Sequence, residues 1–240
     1  MHRFYAPDSA SSDGRVHLAA DETHHLRDVL RRSPGDTVHV FDGKGSEYLC
    51  RIDAISKHET ILEIIGTVVP VAESSLDLTL ASVVMRGEKY ELIIQKAVEL
   101  GVTHFIPLLS VRCEVRLKDV EKRSGRWQMI ARDAAKQCGR ATEMSIGGIS
   151  TAAEFVNSAG TEMGTNVMFA ERGGENFESI KTARQMTAMI GPKGGWDDSE
   201  LQAAIDAGFT IITLGGRIMR AETAAISIVA ILQHRFGDLN

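Results

Sequence analysis

Between Thr187 and Leu239 the chain carries two glycine-rich turns, each preceded by a short apolar run and each leading toward a helix-like run. The apolar runs are Thr187 to Ile190 and Phe209 to Leu214, the lengths of buried strands. Two strand-turn-helix units in succession place both turns at strand ends, where open α/β sheets bind ligands. The first turn, Gly191-Pro192-Lys193-Gly194-Gly195, is followed by Asp197 with Glu200 three residues on, a capping-box spacing that predicts a helix to about Ala207, stopped by Gly208. The second, Leu214-Gly215-Gly216-Arg217-Ile218-Met219-Arg220-Ala221-Glu222-Thr223, sets two arginines and a carboxylate among small residues before an apolar helix from Ala224 to about Phe236. Small residues let a ligand approach the backbone, and arginines supply charge.

Neither turn carries the phosphate-binding signatures of dinucleotide or ATP sites: GxGxxG is absent, and GPKGGWD lacks the GK[ST] ending. No Gly-x-Ser-x-Gly or Ser/His/Asp arrangement marks a nucleophile. Backbone amides, small residues and arginines suit a site that positions two bound molecules for group transfer.

Upstream, Leu76 to Val84 and Val102 to Leu109 read as buried strands around a helix that follows Arg86-Gly87-Glu88-Lys89 and stops at Gly101. Asp119 opens a long helix with Trp127, Ile130, Ala134 and Cys138 on one side, ending at Gln137-Cys138-Gly139-Arg140. Asn166 to Ala170 is a further strand. Five strands alternating with helices predict a mostly parallel sheet.

Residues 1–72 differ in kind. Short β-type runs are separated by turn chemistry (Ser33-Pro34-Gly35-Asp36; Asp42-Gly43-Lys44-Gly45) and interrupted by one helix-like insert, Asp21 to Arg32. A small β-barrel closes such strands. Pro70 to Ser75 reads as a linker, dividing the chain into 1–72 and 73–240.

The net charge of −5 argues against nucleic-acid binding through overall charge, yet Ser110 to Thr142 holds nine Lys/Arg against four Asp/Glu. That segment reads as either a directed basic patch or a solvated helix face. His24 and His25 with Arg27, Arg31 and Arg32 form a second basic rim, able to touch phosphate or simply exposed. Histidine spacing gives no metal site, and three scattered cysteines give no disulfide framework. No apolar run reaches membrane-spanning length and no secretory signal is indicated, so the expected location is cytoplasmic.

Taken in order, Val29-Leu30-Arg31 with Pro34-Gly35-Asp36, Arg86-Gly87-Glu88-Lys89, Glu99-Leu100-Gly101-Val102, Arg112-Cys113, Gln137-Cys138-Gly139-Arg140, Ile190-Gly191-Pro192, Gly194-Gly195, Leu214-Gly215 and Arg220-Ala221-Glu222-Thr223-Ala224 resemble the SPOUT-class methyltransferases. Within that class the chain is most similar to the bacterial 16S ribosomal RNA (uracil-N3)-methyltransferase family. The resemblance implies a PUA-like β-barrel before an α/β domain tied in a trefoil knot. It also implies a homodimer, S-adenosyl-L-methionine as cofactor, and 16S ribosomal RNA in the small ribosomal subunit as substrate, methylated at N3 of a uridine. The cofactor residues it implies are Phe169, Ala170, Glu171, Ile190, Gly191, Gly194, Gly195, Leu214, Gly215, Ile218, Met219, Arg220, Thr223 and Ala224. Arg220 is the expected stabiliser of charge on the base, with Glu222 holding it or relaying a proton; mutual pairing that merely fixes the loop is the alternative. Arg27, Arg31, Arg86, Lys89, Arg112 and Arg140 are candidate RNA contacts, with ion pairing as the competing role for the last four. Lys193 departs from the family's usual Glu, and Val111 from an acidic residue. Methylation of another base or of a ribose 2′-hydroxyl, and a non-catalytic ribosome assembly factor, are the alternative functions.

Overall fold

The computed structural model describes residues 2–7, 14–159 and 164–239. Its contacts divide the chain into two units, 1–73 with 132–143 and 74–131 with 144–240.

The first unit holds a five-stranded sheet in the order β1 (Arg3–Tyr5), β3 (Thr37–Phe41), β4 (Glu47–Ile55), β5 (Thr60–Val68), β2 (Arg15–Leu18), with β1 parallel to β3 and the other pairings antiparallel. Alternation along the strands turns Val38, Val40, Cys50, Ile52 and Leu62 inward, where they meet Phe4, Val16, Leu18 and Leu26. The β3–β4 hairpin is closed as expected: Asp42 accepts from the amides of Lys44 and Ser46, and Gly43 and Gly45 have positive φ. The insert at Asp21 is not one helix. A short helix α1 (Ala20–His24) passes into a π-helical turn, His25–Val29, and Arg31 has a left-handed φ of 52°.

The second unit is built on a parallel sheet in the order β11 (Glu175–Asn176), β13 (Thr210–Thr213), β10 (Thr165–Phe169), β12 (Gln185–Ile190), β6 (Asp77–Val83), β7 (His104–Leu109), β8 (Ser145–Ile146), with β9 (Ser150–Thr151) also on β7. Every pairing in it is parallel, and the strands read from sequence form its centre. Helix α2 (Glu88–Glu99) buries Ile93, Ile94, Ala97 and Val98, and Gly101, at φ +77°, ends it. The long helix expected from Asp119 is broken: α3 (Leu117–Glu121) stops, and α4 (Ser124–Cys138) starts afresh. Trp127 on α4 packs edge-on against Tyr90, 4.9 Å between centroids. The far part of α4 contributes to the first unit, so the basic segment is shared between units in a way that a cut at 72 does not anticipate. Helices α5 (Ala152–Ala159), α6 (Asp198–Asp206) and α7 (Ala221–Phe236) complete the fold. Asp197 and Glu200 make the full reciprocal capping box on α6, and Gly208 has φ +85°.

The cysteines are all free. Cys50 is buried, which pushes its thiol up to about 12, whereas Cys113 and Cys138 are half-buried rather than core residues.

Candidate functional site

Strand register decides where the ligand loops meet. Phe169, the last residue of β10, lies level with Ile190, the last of β12, and with Ile212 of β13. Three adjacent parallel strands therefore end at one edge, and the loops that follow them open on the same side. These loops carry most of the cofactor residues that the resemblance implied. They enclose a cavity of about 250 Å³. Its walls are Phe169, Ala170 and Glu171 from the first loop, Ile190 to Lys193 with Gly195 and Trp196 from the second, and Leu214 with Arg217 to Ala221 from the third. Helix α7 closes the floor with Ala221, Ala224 and Ile228, whose spacing of three and four puts them on one face.

Of the cofactor residues expected from sequence, only Gly194, Gly215 and Thr223 stand outside this lining. The Gly194 carbonyl instead accepts from Arg112 at 3.1 Å, Gly215 supplies a turn with φ +60°, and Thr223 points to solvent. The sequence reading missed Trp196, Pro192, Arg217, Ala221 and Ile228. The largest of these, Trp196, is buried, and its indole Nε1 donates to the Phe169 carbonyl at 3.0 Å, tying the second loop to the end of β10. A Cβ on Gly191 would lie 2.9 Å from that Nε1, so the glycine is required by the tryptophan beneath it. GPKGGWD carried this signal: a tryptophan directly after a glycine pair needs somewhere to bury its ring.

A second cavity of about 360 Å³ shares the wall Pro192, Lys193, Arg220 and Ala221 with the first. Its other walls are Val84, Met85, Arg86, Lys89, Arg112, Glu114 and Glu222. Here the residues singled out from both halves of the second unit converge: Arg86, Lys89 and Arg112 with Arg220 and Glu222. Most are already partnered. Lys89 Nζ donates to Glu222 at 2.6 Å, Arg86 donates to the Glu114 carbonyl at 3.1 Å, and Arg112 reaches Asp197 at 3.2 Å.

These contacts correct the expected link between Arg220 and Glu222. The carboxylate of Glu222 is held by Lys89 across from α2, and that hydrogen bond, with the charge of Arg220 adding last, keeps Glu222 below the usual carboxylate range. A depressed pKa makes Glu222 a poor proton acceptor at neutral pH. Asp197 is also held low, by the Ser199 hydroxyl and amide first and by Arg112 after them. Arg220 and Lys193 are exposed and, among the described residues, make no side-chain hydrogen bond or ion pair.

Two further expectations are corrected in the first unit. Arg140 is buried, with its guanidinium 2.7 Å from Glu73, so it serves the interior rather than a phosphate. Arg27 is forked onto Asp28 and donates to the carbonyls of Ser56 and Lys57, while His24 bonds the same Asp28 at 2.6 Å. Arg31 of that rim is exposed just beyond the π-helical turn, as is His25 within it. No group of three His, Cys, Asp or Glu able to hold a metal occurs among the described residues.

Two family models match successive parts of the chain. A model of the RNA methyltransferase domain matches residues 72–233, and one of the RNA methyltransferase PUA domain matches 18–65. Ribosomal RNA small subunit methyltransferase E of Synechocystis is 33% identical over 217 residues, 88% of this chain and 70% of that protein. Its counterpart in Buchnera aphidicola from Schizaphis graminum is 30% identical over 231 residues, covering 94% of this chain and 92% of that one. Among solved structures, ribosomal RNA small subunit methyltransferase E of Neisseria gonorrhoeae, bound to S-adenosyl methionine, superimposes with a TM-score of 0.91 at 34% identity over the full length of both chains. A Legionella pneumophila methyltransferase in complex with SAM gives 0.92 at 29% identity, covering 99% of this chain and 98% of that one. With the family model spanning most of its length and a PUA domain before it, the chain belongs to the RNA methyltransferase family.

Proposed function

We propose that this chain transfers the methyl group of S-adenosyl-L-methionine to N3 of a uridine in 16S ribosomal RNA. The observation that carries the reading is the pair of cavities sharing one wall at the carboxyl ends of parallel strands, each combining apolar walls with charged side chains. The relatives named for small-subunit ribosomal RNA and the SAM-bound neighbours support it.

The first cavity fits the cofactor chemically. Phe169, Ile190, Leu214, Met219 and Ile228 offer apolar walls to an adenine, and the loop amides and Glu171 offer polar groups to ribose and methionine. Bound there, S-adenosylmethionine supplies an electrophilic methyl on a sulfonium. The chain's own task is to bring the base to it and to make N3 nucleophilic. Loss of the N3 proton leaves negative charge on the two flanking carbonyls, and Arg220, on the wall between cavities, is the cation placed to stabilise it. Lys89 and Glu222 act as a positioning pair: they tie α2 to the first turn of α7 and so hold the residue that caps it, Arg220. With Glu222 kept ionised and paired, the proton leaves to solvent.

The chain acts as a homodimer in the cytoplasm in this reading. Ile218, 80% exposed at the cofactor cavity, is the apolar surface that a partner subunit would cover. No described helix is long and apolar enough to cross a membrane. The test is methyl transfer from labelled cofactor to small ribosomal subunits, followed by nucleoside analysis. N3-methyluridine is expected; a methylated ribose, another base, or no transfer contradicts the reading.

A further inference from the structure

The charged groups around the two cavities sort into pairs and singles. Arg86 with Glu114, Lys89 with Glu222 and Arg112 with Asp197 are opposite-sign pairs, and Glu171 lies 4.0 Å from Arg172. What is left is positive: Lys193 and Arg220 on the shared wall and Arg217 on the first cavity, all exposed and, among the described residues, without a side-chain partner. The cofactor inferred above has a sulfonium, an ammonium and one carboxylate, so it too carries net positive charge. A positive ligand entering a site with three unpaired cations is opposed by their field, and the opposition is lifted only when an anion arrives.

On the strength of the functional reading above, we propose that Lys193 and Arg217, beside Arg220, form a phosphodiester-binding rim that makes RNA and cofactor binding mutually reinforcing. In the RNA-free protein the rim lowers affinity for S-adenosylmethionine more than for S-adenosylhomocysteine, which has lost the sulfonium charge with the methyl. RNA neutralises the rim with its phosphates and raises affinity for the charged cofactor, and by linkage the cofactor raises affinity for RNA by the same factor. Lys193 is the member whose charge can be changed with least damage, because it is exposed and its side chain supports no other group.

Lys193→Glu separates this inference from its rivals because the two affinities move in opposite directions. Calorimetry at low salt without RNA is expected to show the variant binding S-adenosylmethionine roughly two- to fivefold more tightly than the wild type, a gain that fades as salt screens it. The ratio of its affinities for S-adenosylhomocysteine and S-adenosylmethionine falls accordingly. Binding of unmethylated small ribosomal subunits weakens, with the slope of log affinity against log salt reduced by about 0.7 to 0.9 per lost phosphate contact. Lys193→Met lies between the two. A Lys193→Glu protein that loses cofactor affinity assigns Lys193 to the methionine carboxylate and overturns the proposal, as does one in which neither affinity changes. Failure of the wild-type chain to take up S-adenosylmethionine at all instead overturns the functional reading on which the proposal stands.

Discussion

The interior of the first unit and the cavities of the second differ in what their cations meet. In the first, Arg3 lies between the buried carboxylate of Glu47, 2.8 Å from one guanidinium nitrogen, and the end of α4, where it donates to the carbonyls of Ala135, Lys136 and Arg140. His39 bonds the same Glu47 at 2.9 Å, Lys136 pairs with the buried Glu22, and Arg132 bonds Glu143 while lying 3.9 Å over the Tyr5 ring. Carbonyls at a helix end and carboxylates out of water both call for donors, and these cations supply them. At the site in the second unit, by contrast, Lys193, Arg217 and Arg220 face open space. Partnered cations belong to the architecture, and unpartnered ones at a cavity await a ligand. Residue type alone does not separate the two.

The largest effect that probes this contrast is structural. Arg3→Ala leaves Glu47 buried without its guanidinium and should destabilise the protein by about 3–5 kcal/mol, read by denaturant unfolding. A change under about 1 kcal/mol would show that the network is ornamental. Next comes Arg220→Ala, expected to fold normally and to slow single-turnover methylation of bound RNA about 100-fold; wild-type turnover would remove Arg220 from the chemistry. Arg140→Ala should behave as an interior substitution, losing about 1–3 kcal/mol of stability while the salt slope of RNA binding stays unchanged. A reduced slope would return Arg140 to the RNA surface. Trp196→Phe keeps an aromatic ring but loses the donor to Phe169 and part of the buried indole volume, costing about 1–3 kcal/mol and loosening the cofactor loop, measured as a modest fall in cofactor affinity.

The pH dependence of stability sharpens the same point. Burial alone would raise the carboxyl of Glu47, but the Arg3 guanidinium overrides it, with His39 adding to the effect, and the folded-state pKa lies below the ordinary value. A depressed acid stabilises the fold above its unfolded pKa, and that contribution is lost as pH falls through the folded value. Without Arg3 only burial and the weaker His39 contact act, so acid unfolding of Arg3→Ala should begin at a higher pH than in the wild type. An unchanged acid limb would show that Arg3 does not hold Glu47 ionised.

Much of the site was legible because its signals are local. Apolar runs before glycine turns, the Asp197/Glu200 box and Gly208 each act within a few residues, and they fixed which strand ends carry the loops. The basic segment was not legible, for an equally physical reason. Arg126, Arg140 and Lys136 find Glu91, Glu73 and Glu22 at separations of 35, 67 and 114 residues. No local spacing reveals such partners, so these three cations were indistinguishable in the sequence from Arg116, Lys118, Lys122 and Arg123 of the same stretch, which are exposed. The redirection of Glu222 from Arg220 to Lys89 has the same cause, since its partner lies 133 residues away on α2.

The central claim is that the two cavities bring a cofactor methyl to N3 of one ribosomal uridine. Mass mapping of 16S ribosomal RNA from cells lacking this chain, with and without its return, tests it most directly. The account predicts a single uridine that lacks its N3 methyl group without the chain, regains it on return of the wild type, and does not with Arg220→Ala. An unaltered N3-methyluridine in the deleted cells, or a loss that appears on a ribose or another base, would contradict it.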